Sequence, residues 1–290
     1  MKVLEVEGLE KRYRRFHLNV SFSMEVGETL AFIGPNGAGK TTLMYTLLNI
    51  VRRDGGRVRF FGLDLDRHEV EIKRRVGFLF EEPRLFKTLR VRHLLEVFKT
   101  FYPSWDQSYA LRLLGECGLD PEKRFHKLSK GMRTQVAVII ALAPRPRLLI
   151  FDEPTAGLDP KMRRWLKEKI REAREEFGPA LLLTSHIMRD VEDLADRIAF
   201  LDNGRIALLR HREELAKWRI IEGTCDGSLT VGAVKFRFVR EGETHRFRLL
   251  VERDDDRLRE DLRRCGAKIT NVFAPDLEEL YDWIIETRAE

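Results

Sequence analysis

The chain has 290 residues and a mass of 34.0 kDa, too long for one small core and enough for a domain of roughly 200 residues with a smaller companion. Its 43% hydrophobic and 34% charged content excludes a disordered tail protein, and the longest apolar run, Val136 to Ala143, falls far short of the roughly 20 residues that cross a bilayer. The net charge of +6 is uneven: Glu213 to Glu290 holds 14 Lys+Arg against 18 Asp+Glu, leaving 39 against 29 in 1 to 212. That surplus fits nucleic acid, phosphorylated ligands or an anionic membrane face. The three cysteines, Cys117, Cys225 and Cys265, form no CxxC pair, which points to a reducing cytosol and away from disulfides or a zinc site. The start Met1-Lys2-Val3-Leu4-Glu5 has no secretory pattern.

In chain order, Lys2 to Val6 and His17 to Phe22 alternate as strands do. Glu28 to Ile33 reads as a strand running into a glycine-rich loop, and Thr42 to Asn49 as a helix. From Leu85 to Ala143 the periodicity is helical, over Val91 to Phe101, Gln107 to Cys117 and Lys130 to Leu142. Leu148 to Phe151 and Ala180 to Leu183 are short, wholly apolar runs, as expected of a parallel sheet covered on both faces. Helices are expected over Pro160 to Phe177 and Ile187 to Ala195. The pattern is an α/β core with a helical insertion at about 85–145. Beyond 214 the character changes: Val234 to Phe238 and Phe247 to Val251 read as a hairpin around Glu241-Gly242-Glu243. A charged helix (Asp254 to Cys265), a strand (Lys268 to Phe273) and a helix from Asp276 follow. The predicted division is 1–214 and 215–290, the second part being α+β.

Two stretches carry chemistry. Gly34-Pro35-Asn36-Gly37-Ala38-Gly39-Lys40-Thr41 satisfies GxxxxGK[ST] between a strand and a helix that takes in Thr42. Its backbone N–H groups are suited to wrap a phosphate, assisted by the helix N-terminus. Lys40 then reaches the β- and γ-phosphates, and Thr41 offers a hydroxyl to Mg²⁺. Leu148 to Phe151 ends in Asp152-Glu153, at the strand edge where ligands bind in such sheets. Asp152 is placed to hold Mg²⁺, and Glu153 to polarise an attacking water.

Leu128-Ser129-Lys130-Gly131-Met132 narrows the reading. It resembles the LSGGQ signature of the ATP-binding subunits of ABC transporters, at a helix start shortly before the carboxylate strand. Ala156-Gly157-Leu158-Asp159 resembles the family's D-loop, Thr184-Ser185-His186 its switch-histidine loop, and Tyr13 the aromatic that stacks on adenine. The resemblance covers about 1 to 210. It implies a P-loop NTPase core with antiparallel β and helical subdomains, here followed by a small α+β domain. It also implies two such subunits, identical or not, pairing head to tail around two ATP molecules, with Mg²⁺ as cofactor. In that arrangement Ser129 and Gly131 meet the partner's nucleotide, Glu153 acts as base and His186 contacts the γ-phosphate. A bland alternative for His186 is a polar strand cap.

Two positions depart from the pattern. Glu81, in Val76-Gly77-Phe78-Leu79-Phe80-Glu81-Glu82-Pro83, stands where a glutamine is usual. It can still ligate Mg²⁺ but cannot donate an amide N–H. Lys130 replaces the signature's first glycine and opposes the helix dipole. The expectation is that these two charges partly offset each other across the ATP sandwich. Phe86 is the candidate contact for a membrane partner, in a groove the family uses for that purpose, whereas Phe98, Phe101, Tyr102 and Trp105 read mainly as core. The resemblance, closest in character to the bacterial ABC-2-type exporter ATPases, implies an ATP hydrolase at the cytoplasmic face of the membrane with a separate transmembrane permease. Nucleic acid is not expected as a partner. The competing reading is a soluble ABC ATPase acting on ribosomes or DNA.

Overall fold

The computed structural model describes residues 1–83, 85–225, 235–241, 244–254 and 256–286. The chain divides into two compact units, Met1–Ile206 and Ala207–Glu290. That division lies a few residues ahead of the expected 214/215, inside a strand.

The first unit opens with two long strands, β1 (Lys2–Tyr13) and β2 (Phe16–Glu25), joined as a hairpin, followed by β3 (Thr29–Ile33). The glycine-rich loop leads into α1 (Lys40–Leu47). Next come β4 (Gly55–Phe60), β5 (Leu63–Asp64), the short α2 (Glu69–Lys73) and β6 (Val76–Leu79). The helical insertion contains α3 (Val91–Lys99), α4 (Gln107–Glu116) and α5 (Lys130–Leu142). After it the chain alternates β7 (Leu148–Asp152), α6 (Pro160–Phe177), β8 (Ala180–Ser185), α7 (Met188–Glu192) and β9 (Arg197–Asp202). The division between units falls in β10 (Arg205–His211), and α8 (Arg212–Leu215) follows.

Besides an antiparallel sheet of order β2-β1-β4-β5 there is a second sheet of order β10-β9-β3-β8-β7-β6, whose β9, β3, β8, β7 and β6 are linked by parallel pairs. Every residue of β3, β7 and β8 is buried. The three continuous apolar runs therefore have the same cause: neither face of these central strands meets water.

Local signals set the helix ends. Asp159 caps α6 by accepting from the amides of Lys161 (2.9 Å) and Met162 (3.0 Å), with Pro160 in the first turn. Gly178 ends the helix at φ 63, so α6 occupies the predicted span. Ser129 caps α5 through the Met132 amide (3.2 Å), and nine residues of α5 are buried, from Thr134 to Leu142. Asp106 caps α4 through the Tyr109 amide (2.9 Å) and takes the Arg145 guanidinium at 2.8 Å.

The second unit is an antiparallel sheet of order β12-β13-β11-β14, built from β11 (Arg219–Cys225), β12 (Lys235–Glu241), β13 (Thr244–Val251) and β14 (Lys268–Phe273). It carries α9 (Asp256–Arg264) and α10 (Leu277–Glu286). Ile221, Cys225, Phe247, Leu249 and Val251 pack with Leu262 and Ala267 in one apolar cluster. The expected hairpin pairs β12 with β13, whereas its turn residues Gly242 and Glu243, with Val234, lie outside the described residues.

Asp106→Ala removes a helix cap, and is expected to cost about 1 kcal/mol in urea denaturation at neutral pH. The Tyr109 amide, and after it Arg145, hold the Asp106 carboxyl below its ordinary 3.8. The wild-type advantage is therefore full above 3.8 and shrinks as pH falls through the lowered value.

Candidate functional site

The parallel register explains why distant segments meet. Ile33 of β3 lies opposite Ser185 of β8, and Asp152 of β7 opposite Thr184. Leu79 of β6 is opposite Phe151. The loop after Ile33, the pair Asp152-Glu153, the segment from Phe80 and His186 consequently leave the sheet at one edge.

A cavity of about 270 Å³ lies at that edge. Asn36, Gly37, Gly39, Lys40, Thr41 and Thr42 line it from the loop and the first turn of α1, and Glu81, Glu153 and His186 from the other strand ends. Gly34 and Ala38 brace the loop from behind. Gly34 lies so close to the Leu201 carbonyl that a Cβ would sit 2.3 Å from its oxygen, and the Ala38 carbonyl accepts from the Gly204 amide at 2.9 Å.

Lys40 is buried and donates to the carbonyls of Gly34 (2.7 Å) and Pro35 (3.2 Å). Its Nζ lies 3.1 Å from Glu153 Oε1, an ion-pair contact outside hydrogen-bond geometry. The other carboxylate oxygen of Glu153 is 2.7 Å from His186 Nδ1 and accepts the His186 amide at 3.1 Å. Glu153 thus bridges the phosphate-loop lysine and the histidine, with side-chain exposures of 6% for Lys40, 7% for Glu153 and 46% for His186. A carboxylate so buried requires charged or hydrogen-bonded partners. Its backbone adopts φ 47, a conformation uncommon outside glycine. The Glu153 amide donates to Thr184 Oγ1 (3.0 Å), whose own hydroxyl donates to Asp152 Oδ1 (2.7 Å).

Burial pushes the Asp152 carboxyl above its ordinary range, opposed by hydrogen bonds from Thr184 and Thr41 and reinforced by the charges of Glu153 and Glu81. The hydroxyl of Thr41 and the carboxylates of Asp152 and Glu81 form an oxygen-only donor set. Such a set fits magnesium, which keeps waters and takes phosphate oxygens as its other ligands.

Tyr13 does not line the cavity; it is 49% exposed at the turn end of the β1–β2 hairpin, paired with Phe16. Phe16 lines it instead, its ring lying where a Cβ on Gly39 (φ 110) would come within 2.6 Å. Nothing in the sequence separated two aromatics three residues apart around one turn. Thr184, read only as part of the loop ending in His186, was not assigned a role of its own, although a hydroxyl pair closing an apolar run was a usable signal.

Ser129 and Gly131 lie outside this cavity, at the start of α5. Lys130 extends along Gly157, where a Cβ would stand 2.5 Å from its Nζ. Lys130 and Glu81 line a single second cavity of about 630 Å³ within one chain. Within one chain the segment after β6 therefore passes near the start of α5, and the two charges line the same space without a direct ion pair among the described contacts.

A third, apolar groove of about 480 Å³ lies where β6 meets the helical insertion. Tyr45, Phe78, Phe80, Phe86, Phe98 and Tyr102 contribute its rings. Phe86 is 58% exposed and Tyr102 only 8%, which separates the groove's lip from its floor.

Comparison with known proteins agrees with this geometry. The family profile described as ABC transporter matches residues 18–156. The lantibiotic transport ATP-binding protein SrtF of Streptococcus pyogenes is 37% identical over 213 residues, covering 71% of this chain and 90% of SrtF. The chain belongs to the ABC transporter ATP-binding family. It is an ATP-binding and ATP-hydrolysing subunit of that kind. The ABC transporter ATP-binding protein YtrB of Bacillus subtilis is 25% identical over 266 residues, covering 91% of this chain and 90% of YtrB. That span is too long to stop within the first unit. Among solved structures, one titled as the ATP-binding subunit of an ABC transporter matches with a TM-score of 0.67 and 28% identity, covering 73% of this chain and 91% of the other. CbiO1 of Clostridium perfringens, part of the CbiONQ complex, matches at 0.62 and 27%, covering 74% and 90%. Among the described residues no helix is long and apolar enough to cross a membrane.

Thr184→Val keeps the shape but leaves a buried amide and a buried carboxylate oxygen without their partner, a loss of about 2 kcal/mol. Urea unfolding is expected to report that loss, and ATP turnover to fall with it as Asp152 and Glu153 lose their common tether.

Proposed function

We propose that this chain is the motor subunit of an exporter: it binds MgATP, pairs head to tail with a second ATP-binding subunit, and drives a separate permease from the cytoplasmic face of a membrane. The observation that carries the reading is Glu153, a buried carboxylate held between the phosphate-loop Lys40 and His186 at the sheet edge. On this reading an incoming triphosphate replaces Glu153 and the loop carbonyls as the partner of Lys40. That exchange frees Glu153 to accept a proton from the attacking water. His186, with nearly half its side chain open to the solvent side of the cavity, then turns its imidazole to the γ-phosphate. Asn36, Gly37, Gly39 and Thr42 would surround the phosphates from the loop, while Phe16, with Tyr13 beside it, offers the base an apolar wall. Mg²⁺, held by Thr41, Asp152 and Glu81, would neutralise phosphate charge.

Ser129 and Gly131, away from the chain's own phosphate loop, would serve the nucleotide of the second subunit. Ser129 already carries the helix-capping geometry that presents amides to an anion. The apolar groove with Phe86 on its lip would receive the permease. Export is supported by the likeness to SrtF. The sulfate/thiosulfate import protein CysA of Bordetella parapertussis, 36% identical over 220 residues, makes uptake the opposite outcome of a transport assay.

Glu153→Gln is expected to retain ATP binding while turnover falls by about a hundredfold or more, and to elute as a dimer when ATP is present. Undiminished hydrolysis would overturn the assignment of the base. The wild-type protein should also pull a membrane protein from detergent-solubilised membranes, and Phe86→Asp should lose it. Reconstituted in inverted vesicles, the complex should accumulate cargo in the lumen for an exporter and release it for an importer.

A further inference from the structure

Either side of α3 and α4, two segments carry an unusual density of cations. Residues 86–92 contain Lys87, Arg90 and Arg92, and residues 121–127 contain Lys123, Arg124 and Lys127, with Glu122 as the single carboxylate in both. The structure joins them into one antiparallel ribbon. The Phe125 amide donates to the Leu89 carbonyl (2.9 Å), His126 to Lys87 (3.1 Å), Val91 to Lys123 (3.0 Å) and Arg92 to Pro121 (3.0 Å). Buried Phe125 pins the ribbon from beneath. Glu122 is shared by Arg90 and Arg92, the latter at 2.6 Å. Among the described residues, exposed Lys87, Arg124 and Lys127 have no carboxylate partner. Like charges held this close on a backbone ladder repel one another unless a ligand meets them.

The ribbon is continuous with the apolar groove. Phe86 lies on the groove's lip and Lys87 on the wall of the second cavity, and Glu82, Pro83 and Leu85 line both spaces. The second cavity is lined by Lys87, Lys130 and Arg133 with Glu81 and Glu82, three cations to two carboxylates, and exposed Arg124 and Lys127 on the ribbon add to that surplus outside it.

We propose that this ribbon is the electrostatic half of the docking surface, taking acidic side chains of a permease segment whose apolar side chains enter the groove. The inference rests on the docking reading of the groove given above and adds the partner's chemistry: apolar residues followed by Asp or Glu. A lipid surface is the poorer fit, because a planar headgroup layer does not fill a concave groove with rings on its floor. Nucleic acid is poorer as well, since Phe86 lines the groove instead of standing among the cations as a stacking platform. The ribbon is also tied to the signature helix. Arg133 donates to the His126 carbonyl at 2.8 Å and lies 5.9 Å from the centre of the Phe125 ring. A partner seated on the ribbon thus pulls on the first turn of α5, next to Ser129.

The test uses the full chain and two fluorescent amphipathic helical peptides with the same Leu/Phe face, one with Glu and one with Lys on its polar face. Anisotropy is read at low and high salt. The Glu peptide is expected to bind roughly tenfold more tightly at low salt, as two or three exposed charge pairs allow, and the preference should fade at high salt. Lys87→Gln, Arg124→Gln and Lys127→Gln together should abolish the preference at unchanged thermal midpoint, and Phe86→Ala should weaken both peptides. Equal binding of the two peptides, with Phe86 still required, would overturn the inference and leave the docking reading intact. No binding of either peptide would count against both. Tighter capture by phosphatidylglycerol vesicles, or by single-stranded RNA, than by the Glu peptide would replace the proposed partner.

Discussion

The hydroxyl of Thr184 holds the site together. It donates to Asp152 and accepts from the Glu153 amide, which fixes two successive carboxylates pointing to different tasks. That contact exists only because β7 and β8 are parallel neighbours in a register that sets Asp152 opposite Thr184. With β3 on the other side of β8, the same register brings in the phosphate loop. A slip of one residue would turn every buried side chain of these strands to the other face, yet both faces are apolar. The polar residues at the strand ends, not the apolar runs, therefore make one register better than its neighbours.

Much of this was legible beforehand. The continuous runs in β7 and β8 read as buried parallel strands because no position needed to be polar. Asp159-Pro160 and Gly178 bounded α6 because capping and termination are local events that short motifs encode. The phosphate loop, Glu153 and His186 line one cavity, with Asp152 tied to Glu153 through Thr184, as their order along the chain implied. By contrast β4, β6, β9 and β11 were not singled out as strands. Val76–Leu79 carries a glycine, and Arg197–Asp202 begins and ends on a charge, so both rely on strand neighbours already in place, a tertiary effect that no window of sequence contains. Phe16 and Tyr13 were indistinguishable for the same reason: which of two aromatics turns inward depends on how the hairpin closes over Gly39.

Charge pairing was the hardest property to read. Glu81 and Lys130 are about fifty residues apart in sequence, and only the passage of the segment after β6 along α5 makes them share a wall. The uneven distribution of charge was evident from composition, but its meaning was not. Pairs such as Lys40 with Glu153 and Lys169 with Glu116 cancel within 1 to 212 and leave the surplus as it is. Part of that surplus stands exposed on the ribbon beside the groove.

The wall that Phe16 contributes has a consequence for selectivity. Every polar side chain lining the 270 Å³ cavity belongs to the loop, to α1 or to a strand end, whereas the hairpin brings only a hydrocarbon ring. A ring of this kind welcomes any flat heterocycle and offers no donor or acceptor with which to tell one purine from another. On the proposed reading, discrimination would then rest on the phosphates met by Lys40 and its neighbours more than on the base.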